Sequence, residues 1–597
     1  MNRLGRRVRL GVALATLAAG VLAVVAYAAP SITIGPNEVN SSIEKAVNRA
    51  IPNSQSNAHV PSSGVPRPAS SPVDSSAGAA TGFAGLNHFQ QRNVADGGKQ
   101  FSLEPPDQGL CVGGSTVIEA VNDIFATYST AGAMTGGPTS LTMFYTGQHQ
   151  IVRSPLTYGP FLSDPKCYFD PQLQRFFMTV LEIDQNASTG AFDGGSHELI
   201  AVSKSATPST AAGDWYQYSI DTTNTSLSGH SGCPCFGDQP LIGADKYGFY
   251  ITTNEFSING PQFNGAQVYA FDKAALASGT LRYQYVAGEG GLVPLAEGPA
   301  YSLQPATSPT AADWSSAAGG TEYLLSALDF NGTLDNRVAV WALTNTSSLT
   351  SASPDVQLSS VILPSEVYGQ PPDATQKSGS TPLATIIQQL YGAKNAGSSS
   401  APQEELLAGN DDRMNQAVYA NGQLWGALNT VVKTQNGPSH VGSAYFDVAP
   451  SVGVSGLAAS MTSQGYVSAN NQNLLYPSIG VTSAGKAVYT ATLAGPDYYP
   501  SAIYTTIDPS TGPGTIHLVG AGLGPDDGFT GYPPFGGPTA RWGDYSAAVS
   551  DPAGNVWFAT EYIGQTCTAA AFYADTTCGG TRTILANWGT YVGKVTP

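Results

Sequence analysis

From residue 83 onward the chain alternates short runs of Val, Ile, Tyr, Phe and Trp with clusters of Gly, Asn, Asp, Ser and Pro, and stretches of helical period are almost absent. Apolar runs of about four to eight residues between turn-forming clusters are the pattern of β-strands. The pattern also recurs at long range. Each copy opens on a polar stretch, usually with Asp. A short strand of small and apolar residues follows, then a turn, then a second strand ending in aromatic or β-branched residues. The copies run over 106–120, 163–178, 237–251, 412–427, 476–490 and 543–558, with a fainter one over 297–326. Their starts fall near 107, 164, 238, 297, 412, 477 and 544.

Most steps between starts are roughly 60 to 75 residues, enough for two visible strands and two more, the content of a four-stranded propeller blade. The fold expected is therefore all-β: a β-propeller of seven four-stranded blades, with six or eight left open by the faint copy at 297. Two β-sandwich domains would not place such similar strand pairs in series. The long step from 297 to 412 holds an insertion at about 365–405, rich in Pro, Gly and Ser around a helix-like run at 383–391. It reads as a surface excursion or a lid over one face.

The first residues are of another kind. Arg3, Arg6, Arg7 and Arg9 precede an apolar run over 10–25, and Ala26-Tyr27-Ala28 has the small-x-small form of a cleavage site. Residues 1–28 read as a secretory signal peptide, with an uncleaved anchor as the alternative. Residues 29–82, rich in Ser, Pro and Ala, read as a disordered stalk, which leaves 83–597 as the propeller. The expected location is extracellular, with retention at the cell envelope left open, and the expected state is a monomer with no membrane span after cleavage.

A formal charge of −17 excludes nucleic acid as a partner, because phosphate binding needs clustered Lys and Arg. Only 11% of residues are charged, while 29 are Tyr, a composition that suits neutral, hydroxyl-rich partners. The six cysteines fit an oxidising compartment. Cys567 and Cys578 are expected to form a local disulfide. Cys111 and Cys167 occupy similar places in successive copies and would bridge neighbouring blades. Cys233-Pro234-Cys235 is expected to be oxidised, within the pair or to other cysteines.

The hairpin turns carry a family resemblance. Asp551-Pro552-Ala553-Gly554-Asn555-Val556-Trp557 and Asp245-Lys246-Tyr247-Gly248-Phe249-Tyr250 each place an acid before a Gly and then an aromatic, and Asn421-Gly422-Gln423-Leu424-Trp425 is a shortened form. In architecture the chain resembles secreted sialidase-like, BNR (Asp-box) propellers. That resemblance implies three arginines for a substrate carboxylate, and Arg153, Arg413 and Arg541 are the three that the chain offers. It also implies a Tyr/Glu nucleophile pair. Here Pro552 stands where the full box has Asp, the early Arg-Ile-Pro signature is missing, and no Tyr/Glu pair stands out.

In a propeller the first strand of each blade lines the channel, so equivalent residues converge on one ring. Asp107, Asp164 and Asp238, with Asp412 and Asp544, are expected there, with Arg413 and Arg541 nearby. Carboxylates gathered this closely must share protons, pair with arginine or hold a hard cation such as Ca²⁺. The plainer alternative is that each Asp caps a strand-start turn. Asp412, Arg413, Arg541, Asp544 and Glu561 are the candidates for catalysis. Asp107, Asp164, Asp238, Trp542 and Tyr545 are those for ligand binding, with the two aromatics as a stacking surface for a sugar. No GxSxG elbow, P-loop or HExxH motif is present. Three functions stay open: a binding protein for glycan or another cell-surface ligand, a glycoside hydrolase or polysaccharide lyase, and a structural envelope protein.

Overall fold

The computed structural model describes residues 32, 34 and 38 and residues 61–597, apart from 226–229, 288–291, 296, 330–331, 396–404 and 435–436. The segment read as a signal peptide lies outside the described residues. Among those described, no helix is long and apolar enough to cross a membrane.

The first sheet shows the repeating unit. Gly109–Gly113, Thr116–Val121, Ile124–Ser129 and Met134–Ser140 pair antiparallel in chain order. The two-residue turn between the first pair needs a left-handed backbone, and Gly114 supplies it at φ 56°. The same four-stranded meander recurs on inner strands Phe161–Asp170, Cys235–Ala244, Gln304–Thr307, Met414–Ala420, Asn473–Val481 and Ala547–Ser550. Each inner strand packs against the next, and Ala547–Ser550 packs back on Gly109–Gly113, so the sheets stand in a closed ring, a β-propeller. The faint copy has its inner strand at Gln304–Thr307, seven residues beyond the start read at 297.

Core side chains fill the spaces between sheets. Tyr168 and Phe177 of the second sheet meet Phe249, Ile251 and Phe271 of the third, all buried. Each such side chain contributes about 1.5–3 kcal/mol by leaving water. Acidic residues hold the turns that follow the inner strands. Asp170 Oδ1 accepts from the Gln172 and Leu173 amides, and Asp245 Oδ1 from those of Tyr247 and Gly248. Asp551 Oδ1 accepts from the Ala553 and Asn555 amides, while Trp557 Nε1 donates to its Oδ2 at 3.0 Å. In two of the turns that carry the family resemblance, the acid therefore caps the turn.

The sheets are also clamped to one another. Three residues within or just before the inner strands have left-handed φ: Asp164 (61°), Ser302 (43°) and Tyr476 (54°). Each donates its backbone N–H to an Asn carbonyl oxygen of the preceding sheet: Asn122, Asn254 and Asn429, at 2.8, 2.8 and 2.9 Å. Removing the acceptor leaves a buried N–H with no partner, which costs about 1–3 kcal/mol. Asn254→Ala is expected to lower the urea midpoint accordingly, with an unchanged denaturant slope.

The last sheet is built from both ends of the chain. Ala547–Ser550, Val556–Tyr562 and Gly589–Val595 are completed by Thr81–Asn87, which pairs antiparallel with Gly589–Val595. Glu119 of the first sheet, fully buried, accepts from the Leu86 amide at 3.0 Å, from the Tyr128 hydroxyl at 3.2 Å and from Thr590 Oγ1. One carboxyl thus ties the first sheet to both closing strands.

The stalk reading is corrected over its second half. Val73–Asp74 pairs parallel with Ile516 and His517, Ser71 bridges to Ala469, and the closing strand starts at Thr81. Glu38 forms ion pairs with Arg92 and Arg153. Backbone pairing of this kind needs few apolar side chains, so low hydrophobicity concealed it. The insertion is also more than a surface excursion. Its helix Pro382–Tyr391 buries Leu383, Ile386 and Ile387 against Phe529, Tyr532 and Phe572. The Leu383 and Ala384 amides donate to Asp527, an acid at a helix N-terminus where the backbone dipole favours it.

Candidate functional site

At one end of the ring the inner strands begin on an unusual backbone. Left-handed φ recurs at Asp107 (49°), Asp164, Gln239 (49°), Ser302, Tyr476 and Gly543 (69°). These positions, rather than the acids, are the equivalent ones. Alignment on Asp matches them at 107 and 164 and is one residue off at 238 and 544. Asp and Asn tolerate this conformation better than most side chains, which explains two of the acids without a ligand.

The acids nonetheless meet. Asp107 Oδ2 accepts from Asn122 Nδ2 at 2.8 Å and its Oδ1 from the Asp544 amide at 2.6 Å. Asp544 accepts from Asn410 Nδ2 at 2.7 Å and from Arg541 at 2.9 Å. Arg413 grips Asp411 with two nitrogens, each at 2.7 Å, and donates to Gln239 Oε1 at 2.6 Å. Lys166 lies over the Tyr545 ring. Nothing in the repeat singled out Lys166; a lysine two residues past Asp164 on a channel-facing strand was the signal available.

Electrostatics joins these groups into one cluster. Burial holds the Asp107 carboxyl well above the usual range, and the Asp544 and Asp164 carboxylates push it further. Asp164 is pushed up to about 6 by burial and then Asp544, against the pull of Lys166 and Arg541. Asp238 is raised by burial and Asp164, with Arg413 and Arg541 opposing; neighbouring charges rather than a hydrogen bond act on it. Burial drives the Lys166 amine well down, while Asp164, Asp107 and Asp544 draw it back. Such a cluster of carboxyls, an amine and guanidinium groups presents both donors and acceptors. Asp238, Lys166, Arg541 and Asp544 are partly exposed. Beside them a small pocket opens among the inner strands, lined by Gln108, Ile242, Gln304 and Gln416 together with Lys166 and Tyr545.

Several expectations fail on geometry. Trp542 and Tyr545 are 1% and 3% exposed; Trp542 fills the core and Lys166 covers the Tyr545 ring, so neither presents an open stacking face to a sugar. Asp412 turns away to Asp329, where burial and that carboxylate raise its pKa. Glu561 is buried among Asp526, Asp107 and Glu104, away from the exposed part of the cluster. Arg153 does not join Arg413 and Arg541; it donates to Glu38 and to the Gly98 and Gln100 carbonyls. The three-arginine arrangement is therefore not assembled. Among the described residues, the one group with ligand atoms all within 4.8 Å of one another is Cys233, Cys235 and Glu255. The cysteines are joined as Cys111–Cys167, Cys233–Cys235 and Cys567–Cys578. The first links the first two inner strands, as their similar places in the repeat implied.

Raised carboxyls make stability depend on pH with a defined sign. A folded pKa above the unfolded one means the folded state binds more protons. The contribution is complete below about pH 4 and is lost as pH rises through the folded pKa. Asp164 at about 6, Asp526 at about 7 and Glu198 at about 8 all act in this direction. The melting temperature is expected to rise as pH falls from about 8 to about 5. Glu198→Gln is expected to flatten that rise in thermal melts across the range.

No protein-family model matches the chain, and no curated protein matches it. Among solved structures it is similar to a Penicillium chrysogenum α-L-arabinanase complexed with arabinobiose, at 9% identity and a TM-score of 0.30, over 72% of this chain and 92% of that one. A Trypanosoma rangeli sialidase in complex with the inhibitor DANA matches at 8% identity and 0.34, over 82% and 58%. A leech intramolecular trans-sialidase matches at 10% and 0.33, over 65% of each chain.

Proposed function

We propose that this chain is an exported binding protein that takes a hydroxyl-rich, glycan-class ligand at the axial cluster of Asp107, Asp164, Asp238 and Asp544 with Lys166, Arg413 and Arg541. The observation that carries the reading is the state of Asp238. It is a partly exposed carboxyl of the axial cluster, influenced by burial and neighbouring charges rather than by a hydrogen bond. A ligand hydroxyl would supply the missing donor, and the Lys166 amine and Arg541 would complete a polar rim. Three disulfides accord with an oxidising exterior.

Titration calorimetry against a panel of neutral oligosaccharides tests this. Asp238→Asn is expected to weaken the bound member at least about tenfold, equivalent to 1.4 kcal/mol, with an unchanged melt. Absence of binding across the panel, or binding indifferent to the substitution, would remove the proposal. A second reading, glycoside cleavage, is favoured by one observation: Asp164, pushed up to about 6 by burial and Asp544, shares one cluster with Asp107, and paired carboxyls in such surroundings can divide the roles of acid and base. Release of reducing ends by the wild type, lost in Asp164→Asn, would establish that reading in place of simple binding.

A further inference from the structure

The third sheet carries a second cluster, apart from the axis, that neither reading uses. Cys235, the first residue of an inner strand, is 0% exposed, whereas Cys233 is partly exposed beside Ser231 and Gly232 at the surface. Glu255, on the second strand and 1% exposed, accepts from His230 Nδ1 at 2.6 Å, from Asn264 Nδ2 at 2.8 Å and from Asn224. Its Oε1 lies 3.9 Å from Cys233 Sγ. Asn264 Nδ2 lies 3.6 Å from Cys235 Sγ and 3.8 Å from Cys233 Sγ. The other His230 nitrogen stands 3.5 Å from the Tyr285 hydroxyl.

This disulfide does little for stability. Stabilisation through the unfolded chain grows with the loop a disulfide closes. Cys111–Cys167 spans 56 residues and Cys567–Cys578 spans 11, but Cys233–Cys235 spans only 2. Around it stand an imidazole held by a buried carboxylate and an amide aimed at both sulfurs. That is the equipment for moving a proton to and from a thiol.

We infer that Cys233–Cys235 is a thiol–disulfide exchange site that accepts two electrons from an external dithiol, with His230 and Glu255 carrying the protons. The dithiol's thiolate attacks the exposed Cys233 Sγ. The Cys233–Cys235 bond breaks, Cys235 leaves as thiolate with Asn264 beside it, and the His230–Glu255 pair delivers a proton. The dithiol's second thiolate then attacks its own sulfur in the mixed disulfide. Cys233 leaves as the second thiolate and is protonated in turn. The reductant departs as a disulfide and the protein holds two thiols.

Dithiothreitol, added to the folded protein and followed by timed alkylation and peptide mass spectrometry, tests the inference. The 233–235 pair is expected to open at least about tenfold faster than the buried Cys111–Cys167 pair, because exposure governs access by the attacking thiolate, and faster than Cys567–Cys578, whose Cys578 is also partly exposed, because His230, Glu255 and Asn264 stand by the leaving thiolate, while the fold signal holds. His230→Gln is expected to slow that opening and to change its pH profile, a readout that a role in packing alone would not move. Cys235→Ser, exposed to oxidised glutathione, is expected to take one half as a mixed disulfide on Cys233, with the other half leaving as a thiol. The inference is overturned if the three pairs open together or only on unfolding, if the pH profile is the same without His230, or if Cys235→Ser takes no adduct.

Discussion

Removal of the last ten residues is expected to abolish the cooperative melt and leave an aggregating chain. The deletion takes away Gly589–Val595, the strand that joins Val556–Tyr562 on one side to Thr81–Asn87 on the other. It also removes Trp588, 1% exposed, whose indole donates to the Leu103 carbonyl, and the buried Val592 and Val595. Glu119 loses Thr590 at the same time. At about 1.5–3 kcal/mol for each large apolar side chain, the losses approach the whole stability of a typical domain, about 5–15 kcal/mol. Two sheet edges would stand open besides. Removing only the exposed Thr596 and Pro597 is expected to change stability by no more than about 0.5 kcal/mol. Calorimetry of the two truncations decides the matter; a ten-residue truncation that melts like the full chain would show that the ring is not held by this strand.

The second large effect is expected at Lys273. Its side chain is 2% exposed, its Nζ lies 2.7 Å from Asp170 Oδ2 and donates to the Asp245 carbonyl, and it stands 3.8 Å from the centre of the Trp314 ring. Burial lowers the Lys273 pKa, and the Asp170 carboxylate draws it back. The ion pair joins the second sheet to the third. Lys273→Met keeps the bulk but leaves Asp170 as a buried charge without its partner, a change that costs about 3–5 kcal/mol. The double substitution with Asp170→Asn removes both charges and is expected to recover most of that loss, since Asn still offers a carbonyl to the Gln172 and Leu173 amides. Urea midpoints of the two singles and the double give the coupling directly. A cost below about 1 kcal/mol for Lys273→Met would mean that the pair is solvated.

The repeat was legible because each sheet shows its first two strands as an apolar pair around a polar turn. Register was less so. What the strand starts share is a left-handed backbone, and that conformation is occupied by Asp107, Gln239, Ser302, Tyr476 and Gly543 alike. Side-chain identity follows it only where Asp happens to be used, so Asp238 and Asp544 each lie one residue from the equivalent position. The axial cluster was found through charge, which survives a slip of one residue. Sequence alone does not tell an aromatic packed under a sheet, as Trp542 is, from one standing over a pocket. The parallel pairing of Val73–Asp74 with Ile516 and His517 left no trace in a segment with the composition of a linker.

Closure of the ring by Thr81–Asn87 fixes an order of events during synthesis. Its partner strand ends at Val595, about 500 residues later. At about 5–20 residues per second, the first strand is made roughly half a minute to a minute and a half before anything exists for it to pair with. The preceding sheets can form meanwhile, each from contiguous chain except for the strand Val73–Asp74, which joins Ile516 and His517 in the sixth. The waiting strand, Thr-Gly-Phe-Ala-Gly-Leu-Asn, contains two glycines and few large apolar residues. A sequence of that kind pairs poorly with itself, and so it can remain idle beside a growing sheet until the end of the chain arrives to claim it.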